Sequence, residues 1–394
     1  MALRGTNQEF GRPYNRRIVL ETIRLHGPIT RADIAKRVGL TIQTVSTIIR
    51  ELEDRRFLVV TREPPKGRGS PASRLAIDPE GGFAVGIHAT PIGLEAALIN
   101  LAGEVIGRDE RKLPHADPDT AFGEIASLVQ GLVALRPAGR MLGAGMAMPG
   151  PFDVDSMSFV GPTTLEGWGD IPVRERLAAA TGLPSFIEID HAAAAHGEWL
   201  YGLGSEYRDF YYIFFGVGLG GCMVHDGAVF RGAWGNAGEL GHTPVVPGGD
   251  LCPCGNRGCL ERYISLEAYE RRTTVIGEDA WIAEVAPIMR AAMVTVENLF
   301  DPETIIVGGL APPRLMEKLI AAASPLPNSI AARRDRGADR LNLSAAGHDA
   351  VLRGAAALAV SGVLSPRFGI MFAHSNNRDE RDPIMHETGG RRVA

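Results

Sequence analysis

The sequence predicts an α/β protein in which an N-terminal winged helix-turn-helix is joined to a two-lobed body. Three observations point that way. Residues 1–75 carry 15 Lys and Arg against 7 Asp and Glu, a balance of +8, which leaves −13 for the rest of a chain whose net charge is −5. A basic module is thus joined to an acidic body, the pattern of a segment that meets a polyanion and a remainder that does not. Apolar residues before Arg55 recur at helical spacing and then give way to two alternating strands. From Phe83 a strand-strand-strand-helix-strand order sets in, and a second set of strands begins at Tyr211. The 394 residues, 45% of them hydrophobic, exceed one ordinary core and suffice for more.

The DNA-binding domain is placed at residues 1–78. Asn15 to His26 reads as a helix with apolar Ile18, Val19, Ile23 and Leu25, closed by Gly27-Pro28. Thr30-Arg-Ala-Asp33 is a capping box for a second helix carrying Ile34, Ala35 and Val38 before Gly39 turns the chain. Thr41 caps a third helix, Ile42 to about Arg55, whose Val45, Ile48, Ile49 and Leu52 form the inward stripe. That orientation leaves Gln43, Thr44, Ser46, Thr47 and Arg50 on the outer face, beside Thr41. Gln reads adenine bidentately, a Thr methyl meets thymine, and Arg reads guanine or holds a phosphate. Phe57 to Thr61 and Ser73 to Ile77 are the wing strands around Pro64-Pro-Lys-Gly-Arg-Gly-Ser-Pro71, whose Lys66 and Arg68 suit a minor-groove or backbone contact. The alternative is a small helical domain that uses its surface Thr and Ser on a protein partner.

The body is placed at residues 79–370. Its first lobe has strands Phe83 to His88, Leu94 to Asn100 and Val105 to Arg111, a helix near Thr120 to Leu135, and the buried strand Leu142 to Met148. Ser185 to Ile189 is a further strand that ends at Asp190, before the Ala-rich segment 192–195 that Asp190 would N-cap. The second lobe has Tyr211 to Phe215, Gly221 to His225, and Ile305-Ile306-Val307 running into Gly308-Gly309. Trp168 is expected to pack between the lobes. Residues 375–394 read as a polar, disordered tail, with His374 just before it and His386 within it solvated.

The most specific stretch is Glu239-Leu-Gly-His242 followed by Cys252-Pro-Cys254-Gly-Asn-Arg-Gly-Cys259-Leu-Glu261. It holds three of the chain's four cysteines, and three thiolates with one imidazole are the donor set of a closed structural Zn²⁺ site. Gly255 and Gly258 let the backbone turn tightly enough to bring the sulfurs together. The alternative is a Gly-rich loop whose cysteines are merely small and buried. Cysteines spent on a metal, with Cys222 left over, suit a reducing compartment. The N-terminus lacks an apolar leader and no run approaches the ~18 apolar residues of a membrane span, so a cytoplasmic protein without membrane contact is expected.

These motifs, with Gly216-Val-Gly-Leu-Gly-Gly221 and Asp301-Pro-Glu-Thr-Ile-Ile-Val-Gly-Gly309, resemble the ROK family of bacterial sugar-responsive repressors and sugar kinases over nearly the whole chain. The resemblance implies an actin-like ATPase (ribonuclease H-like) body. It implies zinc on His242, Cys252, Cys254 and Cys259, and sugar hydroxyls on Glu239, His242, Glu261 and Asp190, with Gly150 and Thr163 lining the cleft. Carboxylates accept hydroxyl hydrogen bonds, and a metal-bound imidazole keeps its other nitrogen for a donor. Glu239 and Glu261 would serve equally as anchors of the metal loop. Where family kinases have an aspartate and a Gly-Gly-Thr turn, this chain has His88 and Pro91, and Val217 stands where the second loop has a phosphate-binding threonine. Proline also removes an N–H donor from a site built on such donors. The family's Asn-Asp pair is Ile189-Asp190, and the later Asn of that helix is Ala192.

The expectation is a repressor of carbohydrate-metabolism genes that binds operator DNA as a homodimer or higher homo-oligomer and responds to a sugar or sugar phosphate between the lobes. It is expected to have no catalytic residue. The alternatives are an ATP-dependent sugar kinase, in which Asp190 is the base that deprotonates the acceptor hydroxyl, and a ligand-blind regulator controlled by a protein partner.

Overall fold

The structure is a computed structural model that describes residues 11–62, 73–113, 117–150, 165, 167–169, 171–331 and 337–364. Lys66, Arg68, Thr163, His374, His386 and the expected tail lie outside the described residues. Helices α1 (Gly11–His26), α2 (Arg31–Val38) and α3 (Ile42–Asp54) precede the antiparallel strands β1 (Leu58–Arg62) and β2 (Ser73–Ile77). The caps fall where the sequence puts them. The Thr30 hydroxyl accepts from the Asp33 amide, Gly39 takes a left-handed φ of 71° that stops α2, and the Thr41 hydroxyl accepts from the Thr44 amide. The linker before α2 adds a third short pairing, Ile29 with Leu75, which ties the wing to the helices.

The first lobe comprises β3 (Phe83–Thr90), β4 (Gly93–Asn100), β5 (Val105–Lys112), α4 (Pro118–Val133), β6 (Met141–Met148), α5 (Val173–Thr181), β7 (Ser185–Ile189) and α6 (Asp190–Tyr201). Its sheet order is β5-β4-β3-β6-β7. The second lobe comprises β8 (Asp209–Phe215), β9 (Leu219–His225), β10 (Ala228–Val229), α7 (Leu266–Ile276), α8 (Glu278–Phe300), β11 (Thr304–Gly309), α9 (Pro313–Ala323) and β12 (Leu341–Leu343), in the order β10-β9-β8-β11-β12. The last helix, α10 (Ala350–Leu364), returns to the first lobe.

Strand alternation decides which core each residue joins. Phe83, Val85, Ile87, Leu94, Ala96 and Leu98 pack with α4, whereas Ala84, Ala97 and Ile99 point the other way. That second face shares one core with Leu352, Ala356 and Val360 of α10 and with Ile18, Val45 and Ile49 of the winged helix. The DNA-binding domain is therefore not tethered loosely. Arg140 reinforces the joint, donating to the carbonyls of Arg55 and Gly81 while its guanidinium lies 4.4 Å from the Phe57 ring centroid.

Two expectations are corrected. Trp168, only 1% exposed, packs on Phe122 of α4 at 5.3 Å inside the first lobe rather than between lobes, because the ring finds its apolar surroundings there. Asp190 is the first residue of α6 and not its N-cap, which is Ile189; its carboxylate accepts from the adjacent His191 amide instead. Among the described residues, no helix is long and apolar enough to cross a membrane.

Candidate functional site

The outer surface of α3 follows from its stripe. Val45, Ile48, Ile49 and Leu52 are buried, while Thr41, Gln43, Thr44, Thr47 and Arg50 are exposed and Ser46 is half-buried. Three of the hydroxyls have internal duties: Thr47 donates to the Gln43 carbonyl and Thr41 pairs with Thr44 at 2.8 Å. Gln43 and Arg50 are the long side chains that reach outward. Ile42, which the sequence marks only as the start of the helix, is 57% exposed on the same first turn and offers the methyl groups that a thymine contact uses.

His242, Cys252, Cys254 and Cys259 converge as expected, their ligand atoms all within 4.8 Å of one another. Cys254 Sγ and Cys259 Sγ stand 3.7 Å apart, and Cys252 Sγ lies 3.6 Å from His242 Nδ1. Tetrahedral Zn²⁺ with ordinary bond lengths requires about 3.8 Å between sulfurs and about 3.6 Å between sulfur and nitrogen, so the residues fit the ion. The loop is folded for it. Gly255 and Gly258 have φ of 90° and 75°, and a Cβ on Gly258 would stand 1.7 Å from the Val246 carbonyl oxygen.

With Nδ1 on the metal side, His242 Nε2 faces Glu239 at 3.8 Å. Glu261 is bound up in the loop itself: it lies 3.5 Å from His242 Nδ1 and from Cys252 Sγ, and it accepts from the Leu219 amide at 3.4 Å. Glu239 is the more open carboxylate. Asp190 and His191 enter from α6, and Gly150, at the end of β6, packs on Ile189, where a Cβ would meet that side chain at 3.1 Å. Burial opposes the charge on Asp190, yet His191, His88 and the His191 amide hold its carboxyl below the ordinary range. His191 moves the other way. Burial works against its charge, but Asp190, Glu239 and Glu188 outweigh this and raise it. Glu188 is paired with the largely buried Arg231. His191 and Arg231 carry no motif and escaped the sequence reading; the one available signal was a polar residue on an otherwise Ala-rich turn.

A ROK family model matches residues 84–361, and a MarR family model matches residues 10–69. The chain belongs to the ROK family. Relatives of this ROK chain include a xylose repressor of Caldicellulosiruptor bescii, 29% identical with 75% of this chain and 83% of that protein covered. A glucokinase of Streptomyces coelicolor is 28% identical over 58% of this chain and 82% of its own length. In three dimensions the chain is similar to a ROK family transcriptional regulator, a homologue of the Escherichia coli MLC protein. The TM-score is 0.72 at 24% identity, covering 91% of this chain and 98% of the other. The fold is thus a winged helix on an actin-like body.

Against that background, the two loops expected to depart from the ROK kinase pattern have definite geometry. Thr90 and Gly93 pair across a two-residue turn at Pro91-Ile92; the Thr90 hydroxyl donates to the Gly93 carbonyl and accepts from the Ile92 amide. In the second loop the Gly216 amide is bonded to the Gly218 carbonyl, and the Gly216 and Val217 carbonyls accept from Leu266 and Glu267 at the start of α7. The Ile92 and Gly216 amides, used internally, are not available to cradle a phosphate. His88, 2% exposed, is an imidazole that burial, against the pull of Asp190, keeps below its ordinary range, and among the described residues its Nε2 has no hydrogen-bond partner.

Proposed function

We propose that this ROK chain is a sugar-responsive transcriptional repressor of carbohydrate-metabolism genes. It binds operator DNA through α3 and the wing as a homodimer, and a sugar held between the lobes by Glu239, His242 and Asp190 alters its operator affinity. The observation that carries the reading is the shared core of winged helix and first lobe, so that lobe movement is a movement of the DNA-reading helices. Relatives named as xylose repressors and as the transcriptional dual regulator NagC support it. Zn²⁺ on His242, Cys252, Cys254 and Cys259 would keep the metal loop folded and orient His242; the geometry of the donor atoms supports that role.

We read the protein as non-catalytic. Asp190 could serve as a base in the kinase alternative, but the internally bonded Ile92 and Gly216 amides and the buried imidazole of His88 argue against a phosphate site. Operator selection from a random duplex pool, repeated with a panel of sugars and sugar phosphates, tests the reading. One enriched palindromic site and its release by at least one sugar are expected. Failure to enrich any sequence, or binding that ignores salt, would end it.

A further inference from the structure

We infer that His191 is the positioning residue of the cleft: a buried imidazole set between Asp190 of one lobe and the Glu239 loop of the other, which holds both carboxylates for an effector's hydroxyls. The inference rests on the sugar-binding reading above. His191 is 3% exposed, and its Nδ1 stands 3.6 Å from Asp190 Oδ1. The ring leaves its own lobe and lies against glycine backbone of the second. A Cβ on Gly220 of β9 would come within 2.7 Å of Nδ1, and one on Gly238, next to Glu239, within 3.4 Å of Nε2. Larger residues there would push the ring out, so the glycines make its berth.

The surrounding charges explain why a cation belongs at this point. Asp190 faces the ring from α6, Glu239 from the loop after β10, and Glu188 from the end of β7; Arg231 is engaged with Glu188, and His88 on β3 acts on Asp190. Asp190 and Glu239 both act on the ring as negative charges, and a positive charge on the imidazole would offset each of them. On the first turn of α6, His191 is also the one polar side chain besides Asp190. Because the folded-state value is raised, the charge is complete below the ordinary histidine range and is lost as pH climbs through the raised value. Effector affinity should follow it.

The test is calorimetry on the full chain with D-xylose and D-glucose between pH 6 and 9, with sugar-free operator binding at each pH as the control for folding. Wild type should bind steadily at the acid end and weaken about tenfold or more toward the alkaline end, as the imidazolium gives up its proton. His191→Gln keeps a hydrogen-bonding side chain without the charge; it should bind about tenfold more weakly at pH 6 and lose the pH dependence. A flat wild-type profile overturns the inference whether or not the variant folds, and so does a His191→Gln profile that tracks wild type. Should neither sugar nor any of the wider panel bind, the sugar-binding reading itself falls and takes this inference with it.

Discussion

Cys254 is exposed whereas Cys252 and Cys259 are buried, so it is the donor whose removal least disturbs packing and most directly tests the metal. The loop from Asp250 to Cys259 is held by few backbone bonds, among them Cys252 amide to Asn256 carbonyl and Gly258 amide to Asp250 carbonyl. Three donors hold Zn²⁺ far less well than four, and even losing a neighbour of a ligand costs about 10–100-fold in metal affinity, so Cys254→Ser should lose at least that much. Atomic spectroscopy should find well under one zinc per chain, and sugar response should vanish. Operator binding without sugar should persist, because the core of α1–α3 is built from other residues. Full zinc content together with full response in Cys254→Ser would remove the metal from the signalling machinery.

At the scale of elements, α6 joins the two ends of the molecule. It begins at Asp190 and His191 in the cleft and ends at Trp199 and Tyr201, where the Arg24 guanidinium of α1 lies 5.6 Å from the Trp199 ring centroid and is held by Glu21. Along the way it crosses α10 at backbone contact: a Cβ on Gly197 would stand 2.4 Å from the Ala350 carbonyl oxygen, and one on Gly354 only 1.7 Å from that of Ala193. Glu198 pins the same helix, accepting from the amides of Leu203, Ala345 and Ala346 and from the Ser344 hydroxyl. His196, pushed by burial down to about 3, is neutral and pairs with Ser361 of α10. A helix so fixed moves as a rod. Trp199→Ala should therefore leave sugar affinity and sugar-free operator affinity near wild type while shrinking their coupling, ordinarily about 1–3 kcal/mol in allosteric proteins, toward zero. Operator affinity measured with and without saturating sugar gives that coupling, and an unchanged ratio would rule out α6 as the route. Gly354→Val, which forces a side chain into the crossing, should destabilise the fold by about 1–3 kcal/mol or more in a denaturant melt.

The elements differ in how far their sequences announced them. α3 was legible because one face alone is apolar, and the metal loop because its cysteines are rare and closely spaced. β3–β6 were legible through their turns and alternation. α10 was not, since Ala355, Ala356, Leu358, Ala359 and Val360 are buried on every side and show no amphipathic period. His191 was missed for a related reason: its role comes from Gly220 and Gly238, 29 and 47 positions away along the chain, which only the fold brings to it.

For the molecule as a whole, the charge split becomes a statement about which face meets DNA. The winged helix sits on the α10 side of the first lobe's sheet, and α4 lies on the other side, in the other core. The body carries a net −13, which disfavours duplex, so affinity should reside in the cations of residues 1–75. Arg50 is exposed on α3 and is the clearest of them. Replacing it with alanine should weaken operator binding by about 1–3 kcal/mol and, if it holds a phosphate, lower the slope of log affinity against log salt by about 1. Asp119, at the start of α4 and paired with Arg176, provides the contrast: Asp119→Lys adds charge to the far face and should leave the slope unchanged. The two slopes can be measured side by side by fluorescence anisotropy over a salt series. If Asp119→Lys steepens the slope as much as Arg50→Ala flattens it, DNA must wrap the body as well, and the division of labour read from the charge balance is wrong.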